Sequence, residues 1–397
     1  MSEALLQDTA TRIEAAYREL YCTDGFIPLH QPCFGGREQE YAATCIKSGW
    51  VSSAGPYVEE LQKKLAALSG ARFAVPLSCG TAGLHLALLC CGVRPGDEVL
   101  CPDLSFVATA AAIVYCGADP VFLDVDEDTL SLSPDALEVF LKTHAQRKGK
   151  ECWNRKTGKR IAACIVMHNV GFPARMAQLQ EPCRAAGIPI VEDAAESLGS
   201  TLDGRMCGTF GRAGVYSFNG NKIVTSGGGG AVITDEERLY RRCLHLSTTA
   251  KKPHPWRYDH DAVGYNYRMP NLNAALALAQ LEQLGGFLER KAAQHAFLKE
   301  KLAGVAMAVL GPPQGQPNHW FLIARLTGTP LPKLIAELAR RKIMARPVWS
   351  RISRMKPYRQ YLCADNRHAA RIARSVLCLP NGIMAAAGNR PVPSGGK

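Results

Sequence analysis

The chain has 397 residues, 47% hydrophobic and 21% charged, an ordinary globular composition with room for a large domain and a smaller one. No apolar run reaches the roughly 18 residues that a membrane-spanning helix needs, so no membrane partner is expected. The formal charge of +12 suits small anionic ligands, and no helix-turn-helix, zinc finger or aromatic-interleaved RNA motif accompanies it, so a nucleic-acid partner is not expected either.

Residues 1–26 open on MSEALLQDTATRIEAAYREL, with early acids and no basic stretch ahead of an apolar core. They read as an amphipathic helical segment rather than a secretory signal. From Ala71 to Thr234 short apolar runs alternate with helical stretches. RFAVPLS precedes TAGLHLALLCCG, GDEVLCP precedes FVATAAAIVYCG, and PVFLDVD precedes SPDALEVFLKTH. ACIVMHN precedes QLQEPCRAAG, IPIVEDAA follows, and GVYSF and GAVIT close the region. Alternation at this spacing predicts an α/β domain over 27–250, its mostly parallel sheet covered by helices on both faces. The basic stretch Lys142–Arg160 reads as a solvated, mobile loop. Residues 251–385 read as a linking helix and a small α+β domain. In it LNAALALAQLEQLGGFLERKAAQHAFLKEKLAG is a long helix broken at Gly285-Gly286, and HWFLIARL and IMARPVW are strands flanking the helix PLPKLIAELARRK. The Pro/Gly-rich residues 386–397 read as a disordered tail.

The fifteen cysteines are scattered, with no CxxC pair and no Cys/His cluster at zinc-ligand spacing, so no metal is expected. Several lie in apolar surroundings (Cys101, Cys116, Cys164), which predicts free thiols in a reducing, cytoplasmic compartment.

Ligands in open α/β sheets bind at strand C-termini, and chemistry-bearing residues gather there. Gly80, Thr81 and Ala82 stand between a strand and a helix, where outward N–H groups bind phosphate. Phe106 follows another strand end and could stack on a flat ring. Asp193 ends the apolar strand IPIVED, where an unpaired carboxylate is costly and a protonated pyridine nitrogen would relieve it. Glu196 follows one turn on. Ser217 lies on GVYSF, five residues before Lys222, which sits between SFNGN and four glycines. A lysine so placed suits a Schiff-base link to a carbonyl cofactor, of which pyridoxal 5'-phosphate is the commonest. Each feature has a plainer reading: small residues begin many helices, Phe106 could be core, Asp193 could cap AAESLGS, and Lys222 could sit on a Gly-rich hairpin. Their conjunction in this order favours the cofactor.

The sequence resembles the DegT/DnrJ/StrS-type sugar aminotransferases, a branch of the pyridoxal phosphate enzymes of fold type I. It is most similar to the subgroup acting on UDP-4-keto-6-deoxy-N-acetylhexosamines in bacillosamine- and legionaminic-acid-type pathways. The resemblance runs from Ile27 to Asn381 and rests on IPLHQPCFGG, SGWVSSAGPYVEE, SCGTAGLHLAL, FVATAAAI, VEDAAESLGS, SFNGNKIVTSGGGG, GYNYRMPNLNAALALAQLE and ARPVW. It implies a large domain with a seven-stranded-type sheet and a smaller C-terminal α+β domain. It implies Lys222 as the Schiff-base residue and Asp193 as the partner of the pyridine nitrogen. Ser217, Thr81 and Ala82 would hold the phosphate. Asn266 would reach the neighbouring subunit's cofactor, which implies a homodimer with shared active sites. Ser53, Arg268, His319 and Arg346 are the substrate-side candidates, the two arginines for a diphosphate or for carboxylates, and salt bridges are the plainer reading of both. The implied reaction is amino transfer from glutamate to a 4-keto nucleotide sugar, for surface glycan biosynthesis. A sugar dehydratase on the same fold and a non-catalytic nucleotide-sugar-binding relative are the competing readings. The intact Lys222, Asp193 and Ser217 argue against both. Two departures from the family pattern bear on the sugar. Phe172-Pro173 stands where relatives carry His-Pro, and Ser350, Arg351 and Ser353 stand in place of a Lys-Pro-Leu/Met-His stretch.

Overall fold

The computed structural model describes residues 3–383, so the tail read over 386–397 lies outside the described residues. Three helices open the chain, α1 (Glu3–Tyr21), α2 (Glu38–Ser48) and α3 (Pro56–Ser69). Leu6, Ala10, Ile13, Tyr17 and Leu20 give α1 a single apolar stripe. That stripe packs on Phe297, Leu334, Leu338 and Leu377 from the far end of the chain.

The alternating region then unfolds in order: β1 (Phe73–Leu77), α4 (Gly80–Cys90), β2 (Glu98–Pro102), α5 (Ala108–Tyr115), β3 (Asp119–Leu123) and α6 (Pro134–His144). A hairpin of β4 (Ala145–Lys148) and β5 (Glu151–Asn154) leads into β6 (Arg160–Met167), α7 (Met176–Ala186) and β7 (Ile190–Asp193). A small hairpin of β8 (Thr201–Leu202) and β9 (Arg205–Met206) precedes β10 (Ala213–Ser217) and β11 (Gly230–Thr234). The sheet runs β1-β11-β10-β7-β6-β2-β3. Strands from β10 to β3 pair in parallel, and β11 is antiparallel to both its neighbours. Every residue of β2, β10 and β11 is buried, as helices on both faces require.

Beyond the sheet come α8 (Glu237–Ser247), α9 (Asn271–Glu282), α10 (Leu284–Lys301) and β12 (Met307–Val309). They are followed by β13 (Leu322–Leu326), α11 (Leu331–Arg340), β14 (Arg346–Pro347), α12 (Arg367–Ser375) and β15 (Val376–Leu379). The last four strands form an antiparallel sheet ordered β12-β13-β15-β14. Among the described residues no helix is long and apolar enough to cross a membrane. All fifteen cysteines are free, and Cys101, Cys116 and Cys164 are buried.

Three local expectations are corrected. The basic stretch Lys142–Arg160 is folded rather than a mobile loop, because acids at the sheet edge meet its polar groups. Asn154 donates to Glu98 at 2.8 Å, Lys159 pairs with Asp119, and Arg160 donates to Asp97 at 3.0 Å. The long helix breaks at Gln283 rather than at Gly285-Gly286. The Gln283 amide donates to Glu38 on α2 at 2.6 Å and to the Ala279 carbonyl at 3.0 Å, which fixes the bend between α9 and α10. The strand read in IMARPVW shrinks to Arg346–Pro347, and the rest is loop.

Candidate active site

Strand ends and helix starts converge on a cavity of about 400 Å³. The turn from β1 into α4 forms one wall. Cys79 is extended (φ −166°) and caps the helix, its Sγ accepting the Ala82 N–H at 3.4 Å. The first N–H groups of a helix have no intrahelical acceptor. Gly80 and Thr81 therefore present unpaired donors to the cavity, and the Ser217 hydroxyl lines it beside them. The rim is crowded: a Cβ on Gly80 would lie 3.1 Å from Ser217 Cβ, and one on Gly230 would lie 2.6 Å from Gly80 N. The glycine run thus has a local cause. Gly227 (φ 76°) adopts a left-handed conformation, and Gly230 lets β11 press on the start of α4.

The floor is acidic. Asp193, at the C-terminal end of β7, is 2% exposed. Its Oδ2 accepts from the Thr109 hydroxyl at 2.7 Å and its Oδ1 from the Ala195 N–H at 3.3 Å. Thr109 is itself hydrogen-bonded to Ser105 at 2.7 Å. Burial pushes the Asp193 carboxyl above the usual carboxylate range, while Thr109, Ala195 and Lys222 pull it back. Burial pushes Glu196 up as well, opposed first by the Lys222 charge. Glu196 accepts the Val170 N–H at 2.8 Å with one oxygen and faces Lys222 Nζ at 3.4 Å with the other.

Lys222 stands in the tight turn after β10, its N–H donating to the Asn219 carbonyl at 3.0 Å. Its Nζ lies 4.2 Å from the centroid of the Trp320 ring, a cation–π contact. Trp320 is held in turn by Nε1 donating to the Asn221 carbonyl at 2.7 Å. Phe106, 47% exposed, forms the mouth with Trp349, the ring centroids 5.4 Å apart. Trp349 Nε1 donates to Asn169 at 2.6 Å.

The structure therefore brings together Gly80, Thr81, Phe106, Asp193, Glu196, Ser217 and Lys222. Ala82 lies just behind the rim, its N–H already capped. The other five predicted positions lie off the cavity in this single chain. Ser53 and Asn266 are exposed, and Asn266 bridges to Thr248 through its backbone. Arg268 spends its guanidinium on the Pro76 carbonyl (3.4 Å) and Gln62 (3.3 Å), the structural reading of that residue. The His319 ring packs on His295 at 4.3 Å, and burial holds its pKa down at about 4. Arg346 is exposed on β14. Sequence reasoning missed Thr109, Asn219, Asn221, Trp320 and Trp349. Thr109 is one of several small residues in FVATAAAI, and only the register of α5 against β7 singles it out. The two tryptophans stood in the sequence, in NHW and PVW, without a partner to give them meaning. Of the two departures, Phe172 is buried in apolar core with Val170 and Trp320. Arg351 donates to the buried Asp103 at 2.7 Å, and the Ser353 N–H donates to the same carboxylate at 2.8 Å.

The cavity fits pyridoxal phosphate. Unpaired helix N–H groups match the phosphate, the under-bonded buried Asp193 matches a protonated pyridine nitrogen, and Lys222 matches the aldehyde.

Comparison with known proteins agrees. The profile of the DegT/DnrJ/EryC1/StrS aminotransferase family matches residues 32–386. The GDP-perosamine synthase of Escherichia coli O157:H7 is 35% identical over 84% of this chain and 87% of its own. A Bacillus subtilis (strain 168) relative, provisionally named as the pyridoxal phosphate-dependent aminotransferase EpsN, is 34% identical over 90% of this chain and 91% of its own. Among solved structures, DesI in the presence of its TDP-sugar product superposes with a TM-score of 0.80 at 29% identity, over 92% of this chain and 90% of that one.

Proposed function

The chain belongs to the DegT/DnrJ/EryC1/StrS aminotransferase family, and from that membership we propose that it moves an amino group from glutamate to a 4-keto-6-deoxy nucleotide sugar. It is a pyridoxal phosphate-dependent sugar aminotransferase acting on nucleotide sugars. The observation that carries the aminotransferase chemistry is the convergence of Lys222 Nζ, the Asp193 carboxylate and the α4 N-terminus on one cavity, and the choice of acceptor rests on the sequence resemblance.

Pyridoxal phosphate, when bound, supplies a conjugated electron sink that lets a carbon next to nitrogen lose its proton. This chain's residues do the rest. Gly80, Thr81 and Ser217 would hold the phosphate. Asp193, kept in place by Thr109, would hold the pyridine nitrogen in its protonated form. Lys222 would hold the aldehyde covalently and, once its amine is free, carry a proton on Nζ between substrate carbon and cofactor. Glu196 and the Trp320 face keep that amine over the cavity. Phe106 would cover the ring and, with Trp349, exclude water at the mouth. Asn266 lies outside this chain's own cavity, which fits its assignment to the site of a second copy in a homodimer.

The sequence motifs point to UDP-linked N-acetyl sugars as acceptors, and the relatives' names bring GDP- and TDP-linked sugars into the comparison. The test is a coupled assay of glutamate-dependent amination against a panel of UDP-, GDP- and TDP-linked 4-keto and 3-keto sugars. The proposal expects amination at C4 of a 4-keto sugar, with UDP-linked N-acetylhexosamines turned over best. Amination of 3-keto sugars alone, or loss of a sugar hydroxyl without amine transfer, overturns it.

A further inference from the structure

The segment Asn318–Trp320 leads into β13, outside the large sheet, yet it carries the groups that hold both neighbours of the Lys222 amine. Asn318 is 1% exposed. Its Nδ2 donates to the carbonyls of Glu196 at 2.8 Å and Leu198 at 3.0 Å. It thereby fixes the backbone from which the Glu196 carboxylate reaches Lys222. The Asn318 N–H donates to the Ser200 hydroxyl at 3.0 Å. Trp320 Nε1 holds the Asn221 carbonyl, which forms the peptide link into Lys222, and the Trp320 ring centroid lies 4.2 Å from Lys222 Nζ.

Between these two residues His319 turns the chain. Its φ of 52° is left-handed, which is uncommon for a residue with a Cβ. Asn318 Oδ1 accepts the Trp320 N–H at 3.0 Å across the turn. The His319 carbonyl accepts from Asn381 Nδ2 at 2.6 Å, and the Trp320 carbonyl accepts from Lys291 Nζ at 3.3 Å. The two anchors are locked to each other: Lys291 Nζ also donates to the Asn381 carbonyl, and Asn381 Nδ2 to the Lys291 carbonyl at 3.3 Å. The facing loop is cut to fit, since a Cβ on Gly171 (φ 85°) would lie 2.2 Å from Asn318 Oδ1. None of these bonds uses the imidazole, which packs on His295. A left-handed residue held from both sides, and flanked by two side chains that converge on the reacting amine, points to a function for its backbone.

We propose that His319 is a positioning residue: its left-handed backbone aims Asn318 at Glu196 and Trp320 at Lys222, so that the Lys222 amine is held between carboxylate and ring. The proposal rests on Lys222 as the residue that holds the cofactor. It moves His319 from substrate contact, its reading in the sequence, to support of that amine. The backbone conformation does the positioning and the imidazole does not. Asparagine adopts the left-handed region readily, whereas a β-branched residue there is a genuine outlier.

The test compares His319→Asn, His319→Val and Trp320→Phe in the full-length protein, with urea unfolding to report which variants fold. Two rates are read. The first is attachment of pyridoxal phosphate to Lys222 in the cofactor-free protein, followed by absorbance and trapped with borohydride, which needs no substrate. The second is bleaching of the holoprotein by saturating glutamate in a single turnover. His319→Asn should keep both rates within a few-fold of wild type. His319→Val should slow both by about 10–100-fold, with the half-saturating glutamate concentration unchanged. Trp320→Phe keeps an aromatic face but loses the bond to Asn221; it should slow both rates about tenfold, and it decides the matter where His319→Val does not fold. Wild-type rates in folded His319→Val or in Trp320→Phe overturn the proposal. So does a His319→Asn variant as slow as His319→Val, which would make the imidazole the working group. Failure of glutamate to bleach the wild type contradicts the proposed function instead, and the attachment rates then decide alone.

Discussion

Thr109→Val changes one oxygen for one methyl at a fully buried position and isolates the support beneath Asp193. The hydroxyl donates to Asp193 Oδ2 at 2.7 Å, and the carboxylate's other donor, the Ala195 N–H, is longer at 3.3 Å. A hydrogen bond to a charged group contributes about 1.5–3 kcal/mol, and nothing in the valine side chain replaces it. The cofactor-free protein should lose stability of that order at neutral pH. The sign with pH follows from the carboxyl. Burial raises its folded pKa, and Thr109 opposes that rise. The contribution of the protonated carboxyl is full below the unfolded carboxylate pKa and is lost as pH rises through the folded one. Removing Thr109 raises the folded pKa further, so the gap between variant and wild type should widen from acid to neutral pH. Urea unfolding followed by tryptophan fluorescence across that range reads the gap directly. Saturating pyridoxal phosphate should narrow it, because a protonated ring nitrogen supplies the missing partner. A gap that is constant with pH, or absent, would refute the reasoning about Asp193.

Other predictions follow from single contacts. Gly230→Ala places a Cβ 2.6 Å from Gly80 N. It should cost about 1–3 kcal/mol and weaken cofactor binding more than a tenfold change in Kd, read by fluorescence titration; unchanged affinity would free Gly230 from the rim. Lys291, 1% exposed, donates to the Trp320 carbonyl at 3.3 Å, and burial lowers its pKa to about 7. A depressed lysine makes the wild type gain stability as pH rises from about 7 toward the unfolded value of about 10.4. Lys291→Met should flatten that rise in urea midpoints whatever its effect on the mean. Arg351→Ala strips the cationic partner from Asp103, which is 0% exposed and keeps only the neutral donors Ser353 N–H and Asn366. It should cost about 3 kcal/mol, less in the D103N background, and an equal loss in both backgrounds would show that the pair is not coupled.

The strands and helices of the alternating region were legible because each buried strand is a short apolar run between turn residues, and α4 and α6 carry start signals in Cys79 and in Ser133-Pro134. The rim of the cavity was legible for the same reason: Gly80, Ser217 and the glycine run sit where local geometry demands small residues. What escaped is what depends on partners far away in sequence. Thr109 matters only because α5 is laid against the end of β7. Trp320 matters only because a loop between β12 and β13 crosses back to Asn221 and Lys222. The basic stretch looked solvated because its partners stand elsewhere in the chain, Glu98 on β2, Asp119 on β3 and Asp97 in the turn just before β2. The long helix was given its break at two glycines, whereas a glutamine reaching to Glu38 sets the bend. Of the five predicted positions off this chain's cavity, Arg268 has its guanidinium taken by Pro76 and Gln62.

The central claim is that Lys222 is the residue that holds the cofactor. Borohydride reduction of the holoprotein followed by peptide mapping tests it most directly. The account predicts a stable pyridoxyl group on Lys222, absent from Lys222→Ala, together with loss of glutamate-dependent amination in that variant. A pyridoxyl group on another lysine, or full transaminase activity in Lys222→Ala, would contradict it.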